Sequence, residues 1–320
     1  MAPPHASSQE GSWSAQRQAA LDLYGRAIEA FKTAFRLYDQ PTLAAYSPLF
    51  KIASEMAEML RTDAQALLVQ TARSTGNYLY AHSVNVAILS LRVGLGLGWE
   101  QDQLTALAMI GFLHDVWLAD LLRLNESKTA AEDRQEARLH PLDKGSVFGP
   151  AELEEVVKRF LAELQAGQYH EAFKRQDDAR CIAKIVGLCN TYESMSHYRA
   201  WRKPILPYEA VKILMRSDRK EEETLVLKAF LNQLSIYPPG SFVRLSNGEI
   251  GRTVHVLPRL PTRPAVEILI SADGQRQNPP RVVQLMENPL IHITSAVDPL
   301  TLQMSDKRLA LFLQGEQWWI

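Results

Sequence analysis

His114 and Asp115 stand side by side near the end of the almost uncharged segment Leu104 to Leu122, LTALAMIGFLHDVWLADLL. An imidazole and a carboxylate inside an apolar segment carry a large desolvation cost unless something compensates. The available compensators are a metal ion, a charge partner or a dense hydrogen-bond network. Further imidazoles stand at intervals on either side, at His82, His140 and His170. A His-Asp pair with distributed histidine partners is a donor set for divalent metal and for hydrolytic work on phosphate esters. Taken singly, His82 and His140 (which precedes Pro141) read as hydrogen-bonded core residues.

Such residues need rigid elements to bring them together, and the spacing of apolar residues predicts mostly helices. The first twelve residues, polar and Pro/Ser-rich, are expected to be disordered. Residues 13–75 form an N-terminal helical region in which Leu21, Tyr24, Ile28, Phe31 and Phe35 recur at three and four. Pro41 and Pro48 are expected to interrupt it, and a second amphipathic run follows from about Leu49 to Leu68. Residues 76–236 are again helix-rich, with segments near 77–97, 100–122, 151–166, 169–195 and 207–216. Pro207 suits the first position of the last of these.

After Tyr237-Pro238-Pro239-Gly240 the pattern changes to short runs rich in Val and Ile: SFVRLSN, GEIGRTVHVL, PAVEILI and RVVQL. Asn247-Gly248 and Asp273-Gly274 are hairpin signals. Residues 237–297 therefore read as a small β-module, and residues 298–320 as a helical tail. That tail ends in Trp318-Trp319-Ile320 and is expected to dock on its own domain, with a partner as the alternative. The fold class is mainly α: a helical bundle with an N-terminal helical region and a small C-terminal β-module.

Bulk properties exclude several functions. The chain has 320 residues, enough for two or three modules, and a net charge of −1 from 35 basic and 36 acidic residues. No overall field draws it to DNA, RNA or anionic lipid. Cys181 and Cys189 match no zinc-knuckle spacing, lie in a predicted helix, and suit buried free thiols in a reducing cytoplasm. The first residues lack the apolar core of a secretory signal. Leu104 to Leu122 has the length of a membrane span, but His114, Asp115 and Asp120 within it argue for a buried core helix instead.

From Asn77 onward the chain resembles the HD-GYP branch of the HD-domain phosphohydrolases, bacterial enzymes that hydrolyse cyclic di-GMP. Five landmarks appear in order. YAHSVNVAILS resembles the opening histidine helix, with His82 matching the first metal ligand. GFLHDVWLAD resembles the helix that names the family, with His114 and Asp115 as ligands. LHPLDKGSVF resembles the His-Pro element, with His140 as a ligand. CNTYESMSHYRAWRK resembles the closing helix and the basic turn after it, and YPPGSFVRLSNGEIG the start of the terminal β-segment. The resemblance implies an HD-domain bundle and metal-assisted phosphodiester hydrolysis. Iron or manganese ions would be held by His82, His114, Asp115, His140 and His170, and would activate a water and neutralise charge on the scissile phosphate. Arg199, Arg202 and Lys203 in the basic turn are then candidates for phosphate contacts, although a solvated helix end explains them as well.

Four departures qualify that implication. Active members follow His-Asp with a glycine and a phosphate-contacting lysine; HDVWL places Leu118 at the lysine position, where an aliphatic chain donates nothing. The closing helix offers Asn190 where the family has an aspartate ligand, and a neutral amide is the poorer ligand for a hard cation. The paired-histidine element reduces to QYHEAF, with Tyr169 and His170. The Gly-Tyr-Pro loop is missing, because Ala179-Arg180 follows Glu171 too closely.

The expected function is a degenerate HD-GYP protein. It regulates or scaffolds cyclic di-GMP signalling through a protein partner or the nucleotide itself, with most phosphodiesterase activity lost. The alternatives are an active metal-dependent phosphohydrolase with Asp115 in the catalytic set, and a structural adaptor. His197, His255 and His292 are expected at the surface or in the β-module.

Overall fold

A computed structural model describes residues 6–62, 64–71, 78–116, 151–166, 176–197, 204–217, 219–299 and 312–313. Two compact units divide the chain, residues 1–71 with 75–189 and residues 72–74 with 190–320. The molecule is mainly α, with a small C-terminal antiparallel sheet.

The first unit begins with α1 (Ala6–Arg36), α2 (Leu43–Thr62) and α3 (Ala64–Gln70). The first helix takes in residues 6–12, whose composition predicts disorder; the prolines stop at Pro4, so none interrupts the helix after Ala6. Pro48, expected as a breaker, sits inside α2. It lies in the second turn, where its missing N–H forfeits one ladder bond, and burial of Tyr46, Leu49, Ile52, Ala53 and Met56 on one face carries the helix past it. Pro41 falls between α1 and α2, as expected.

Helices α4 (Tyr78–Gly96) and α5 (Gln101–Leu113) pack against each other and against the N-terminal helices. Both are apolar all round, the signature of a helix with neighbours on every side. From Leu104 to Leu113 every residue of α5 is buried. At its start the Glu100 N–H donates to Gln103 Oε1 at 3.2 Å, satisfying one orphan donor. The helix predicted to run to residue 122 ends at Leu113, and the chain turns at residues 114–116.

Helix α6 (Ala151–Gln165) buries Leu153, Val157, Phe160 and Leu164 at alternating spacings of four and three. Phe160 meets Phe50 of α2 edge-on at 6.2 Å.

Helix α7 (Gln176–Ser196) carries the boundary between the units, at Cys189 and Asn190. In the second unit, Ile205 N–H donates to Met195 O at 2.8 Å. Pro207 opens α8 (Pro207–Arg216) at its first position, as its fixed φ favours. Helix α9 (Glu221–Leu234), absent from the sequence expectation, starts with three glutamates that suit a helix N-terminus. It buries Val226, Leu227, Phe230 and Leu234, with Phe230 edge-on to Tyr192 at 5.2 Å.

Strands β1 (Phe242–Leu245), β2 (Ile250–His255), β3 (Ala265–Ile270), β4 (Arg276–Gln284) and β5 (Ile293–Ala296) form one antiparallel sheet in the order β4-β3-β2-β1-β5. Gly248 and Gly274 take φ of +90° and +80° at the two predicted hairpin turns, a conformation open to glycine at no steric cost. Alternation along the strands buries two faces. Phe242, Ile250, Leu269, Ile270, Val297 and Leu313 line one; Val243, Leu245, Val266, Ile268, Val283 and Leu285 line the other. Edge strand β4 slips register opposite Ile268 to Ile270, around Pro279-Pro280.

Candidate metal centre

His82 lies in the second turn of α4, and His114 and Asp115 form the turn that closes α5. What joins them is the close approach of the two helices at Gly111. A Cβ there would fall 2.7 Å from the Cα of Ala87 and 3.1 Å from its nitrogen. Only a hydrogen side chain permits that contact. Three residues beyond Gly111 is His114; five residues before Ala87 is His82.

The three side chains converge on one point. His82 Nε2 and His114 Nε2 are 3.1 Å apart. Asp115 Oδ2 lies 3.5 Å from His82 Nε2 and 3.3 Å from His114 Nε2. The imidazole rings cross at 62° with centroids 5.0 Å apart. All are buried, the histidines at 1% exposure and Asp115 at 8%. Burial alone would push the Asp115 carboxyl up, but the His114 charge and hydrogen bonds from both imidazoles hold it well below the usual carboxylate range.

The tautomer of His114 follows from its surroundings. Its Nδ1 is 2.8 Å from Gly111 O, which can only accept, so Nδ1 carries the hydrogen. When a cation takes the place of the proton on Nε2, that nitrogen presents its lone pair toward His82 and Asp115, the arrangement a metal-binding histidine requires. Two imidazole nitrogens and a carboxylate oxygen at these distances could hold a cation among them. Ligands about 2.1 Å from one metal lie about 3.0 Å apart at octahedral angles and about 3.4 Å at tetrahedral ones. Separations of 3.1, 3.3 and 3.5 Å fall at that spacing. Among the described residues this is the group whose ligand atoms lie close enough to hold a metal ion. A mixed nitrogen and oxygen set suits iron, manganese or zinc.

Other predicted site residues are placed differently. Asn190 lies in the second unit, buried, where its Oδ1 accepts from Ser194 Oγ at 3.0 Å. His140, His170, Arg199, Arg202 and Lys203 lie outside the described residues, as do Leu118, Tyr169 and the tail tryptophans. Of the histidines set aside, His255 is in β2 and His292 is exposed just before β5. His197 corrects the expectation. It is buried at the end of α7, its Nδ1 3.0 Å from Glu193 O, 3.2 Å from Ser196 Oγ and 3.5 Å from Glu193 Oε1. Glu193 is fully buried. The i, i+4 spacing of Glu193 and His197 was the available signal, since it places the pair on one helix face.

Comparison with known proteins supports the resemblance read from the sequence. Residues 242–305 match the family described as "KOW domain associated with HD domain". A cyclic di-GMP phosphodiesterase of Pseudomonas aeruginosa is 24% identical over 237 residues, covering 72% of this chain and 57% of the relative. The cyclic di-GMP phosphodiesterase PdeB of Borreliella burgdorferi is 22% identical over 202 residues, covering 61% of this chain and 53% of the relative. The chain therefore spans little more than half the length of the relatives it matches. No solved structure matches it. Among the described residues no helix is long and apolar enough to cross a membrane.

Proposed function

We propose that this chain is an HD-GYP-type protein of cyclic di-GMP signalling that keeps a divalent metal centre while its hydrolytic power is largely lost. The observation that carries the reading is the buried convergence of His82 Nε2, His114 Nε2 and Asp115 Oδ2 within 3.5 Å of one another. His82, His114 and Asp115 would hold iron or manganese, with His140 and His170 as further donors. A bound divalent ion supplies Lewis-acid neutralisation of a phosphodiester and activation of water.

The chain's own residues do the rest. Gly111 O fixes the His114 tautomer, and Asp115 offsets positive charge in a site that burial dries. Loss of hydrolytic power follows from Leu118 at the lysine position and Asn190 at the aspartate position. The first removes a donor to the phosphate and the second one negative charge; a single lost donor of this kind costs roughly 100–1000-fold in rate. Arg199, Arg202 and Lys203 remain available for binding the nucleotide without cleaving it, and a protein partner would read the bound state. On this reading the protein works in the cytoplasm.

An active phosphohydrolase is the second reading, favoured by the integrity of the buried trio and by two relatives named as phosphodiesterases. Elemental analysis of protein purified without chelator, with cyclic di-GMP turnover assayed in the same preparation, separates the readings. The expected outcome is metal near one equivalent, lost in Asp115→Ala, with slow or no turnover. Rapid turnover abolished by Asp115→Ala would establish the second reading, and metal-free protein whose affinity for manganese is unmeasurable would sink both.

A further inference from the structure

Helix α1 packs on α4 and reaches α5 through an aromatic contact close to the metal trio. Phe31 is fully buried and stacks on Phe112 at 6.1 Å with planes 23° apart, two residues before His114. The same ring meets Tyr80 edge-on at 6.1 Å, two residues before His82. Phe35 adds a second edge contact to Tyr80 at 5.6 Å. One turn further along α4, buried Tyr24 donates its hydroxyl to Asn85 Oδ1 at 2.8 Å. So one side chain of α1 touches the residues flanking His82 and those flanking His114 at once.

We infer that Phe31 is a positioning residue for the metal centre, and that α1 sets the separation of the two imidazoles by bracketing Tyr80 and Phe112. The inference rests on the reading of His82, His114 and Asp115 as metal ligands. The physical ground is the steepness of coordination with distance. Ligand geometry must hold to within a few tenths of an ångström, and Phe31 meets both α4 and α5 within two residues of the imidazoles. Removing the ring leaves a cavity beside both helices, and a core relaxes only partly around such a cavity. The Nε2 atoms then lose their fixed 3.1 Å spacing. Through the same contacts, any reseating of α1 is transmitted to the metal.

The test compares Phe31→Ala with Leu60→Ala in the full chain. Leu60 is as deeply buried, on α2 next to Arg61, whose Nη1 bonds Gln101 at the opposite end of α5. A helix of that length puts Gln101 roughly 18 Å from the turn that carries His114. Both variants lose stability, which urea unfolding measures. Manganese affinity is read by calorimetry, and visible absorption of the cobalt-loaded protein reports ligand geometry. The expected result is at least a tenfold weaker manganese affinity and shifted cobalt bands for Phe31→Ala. Phe31→Leu should recover most of both, and Leu60→Ala should bind as the parent does. Equal loss in the two alanine variants, or parental binding in Phe31→Ala, overturns the inference while leaving the metal site intact. A parent that binds no metal overturns the site and the inference together.

Discussion

Neutral imidazole has one lone pair, and at His114 the choice of nitrogen is made by Gly111 O. Cys189 is held differently: burial pushes its thiol up from 9.0 to about 12. Because the folded value is the higher one, the neutral thiol stabilises the fold fully below the unfolded value near 9. That contribution fades as pH rises from about 9 toward 12, by about 1.4 kcal/mol per pH unit in the limit of full ionisation of the unfolded chain. Urea midpoints should therefore drop between pH 9 and 10.5 more steeply in the parent than in Cys189→Ala. Identical slopes would show that the thiol does not titrate on unfolding. Cys181, half-buried on the same helix, shifts in the same direction. At this scale the sequence was most legible where it broke its own pattern. A His-Asp pair inside an apolar run is conspicuous, and so it was found. His197 was not, because it follows polar residues at a helix end and its burial depends on Glu193 facing it.

The contact between α4 and α5 depends on a residue that sequence reasoning passed over. Gly111 lies inside an apolar helix, where glycine costs about 1 kcal/mol relative to alanine and so marks a place where something comes close. Gly111→Ala should gain helix propensity yet destabilise the protein by roughly 1–3 kcal/mol, as overpacking does. The added methyl meets the Ala87 backbone, which cannot rotate away as a side chain can. It should also weaken manganese binding by spreading His82 from His114. Thermal unfolding and calorimetry on one preparation check both, and an unchanged or raised Tm would show that α4 gives way freely. Strands β1 to β4 were readable from alternation and two glycine turns. Strand β5 was not, since its four residues alternate no more clearly than a loop and acquire meaning only by pairing with β1. Helix α9 was missed although its three leading glutamates and its apolar spacing signal a helix. Helix α6 was legible from its apolar spacing.

For the molecule as a whole, the division into two units decides where a ligand is felt. The trio lies wholly in the first unit, so manganese at about 100 times its Kd should add about 2.7 kcal/mol to that unit's resistance to unfolding. Amide exchange read peptide by peptide should slow in α4 and α5 and stay unchanged in the sheet. Uniform slowing along the chain would mean that the two units unfold as one. Sequence periodicity showed that helical and β segments are distinct, because each period is local. It could not show that the boundary falls within α7, since a continuous helix leaves no break in its pattern. The sheet itself has one more consequence. Two consecutive prolines in β4 supply no N–H along an outer edge, and the register slip around them bends that edge away from a straight ladder. A strand from another chain cannot extend the sheet in regular register on that side. Growth by strand addition, whether to a partner or to an aggregate, is left to the short edge at β5.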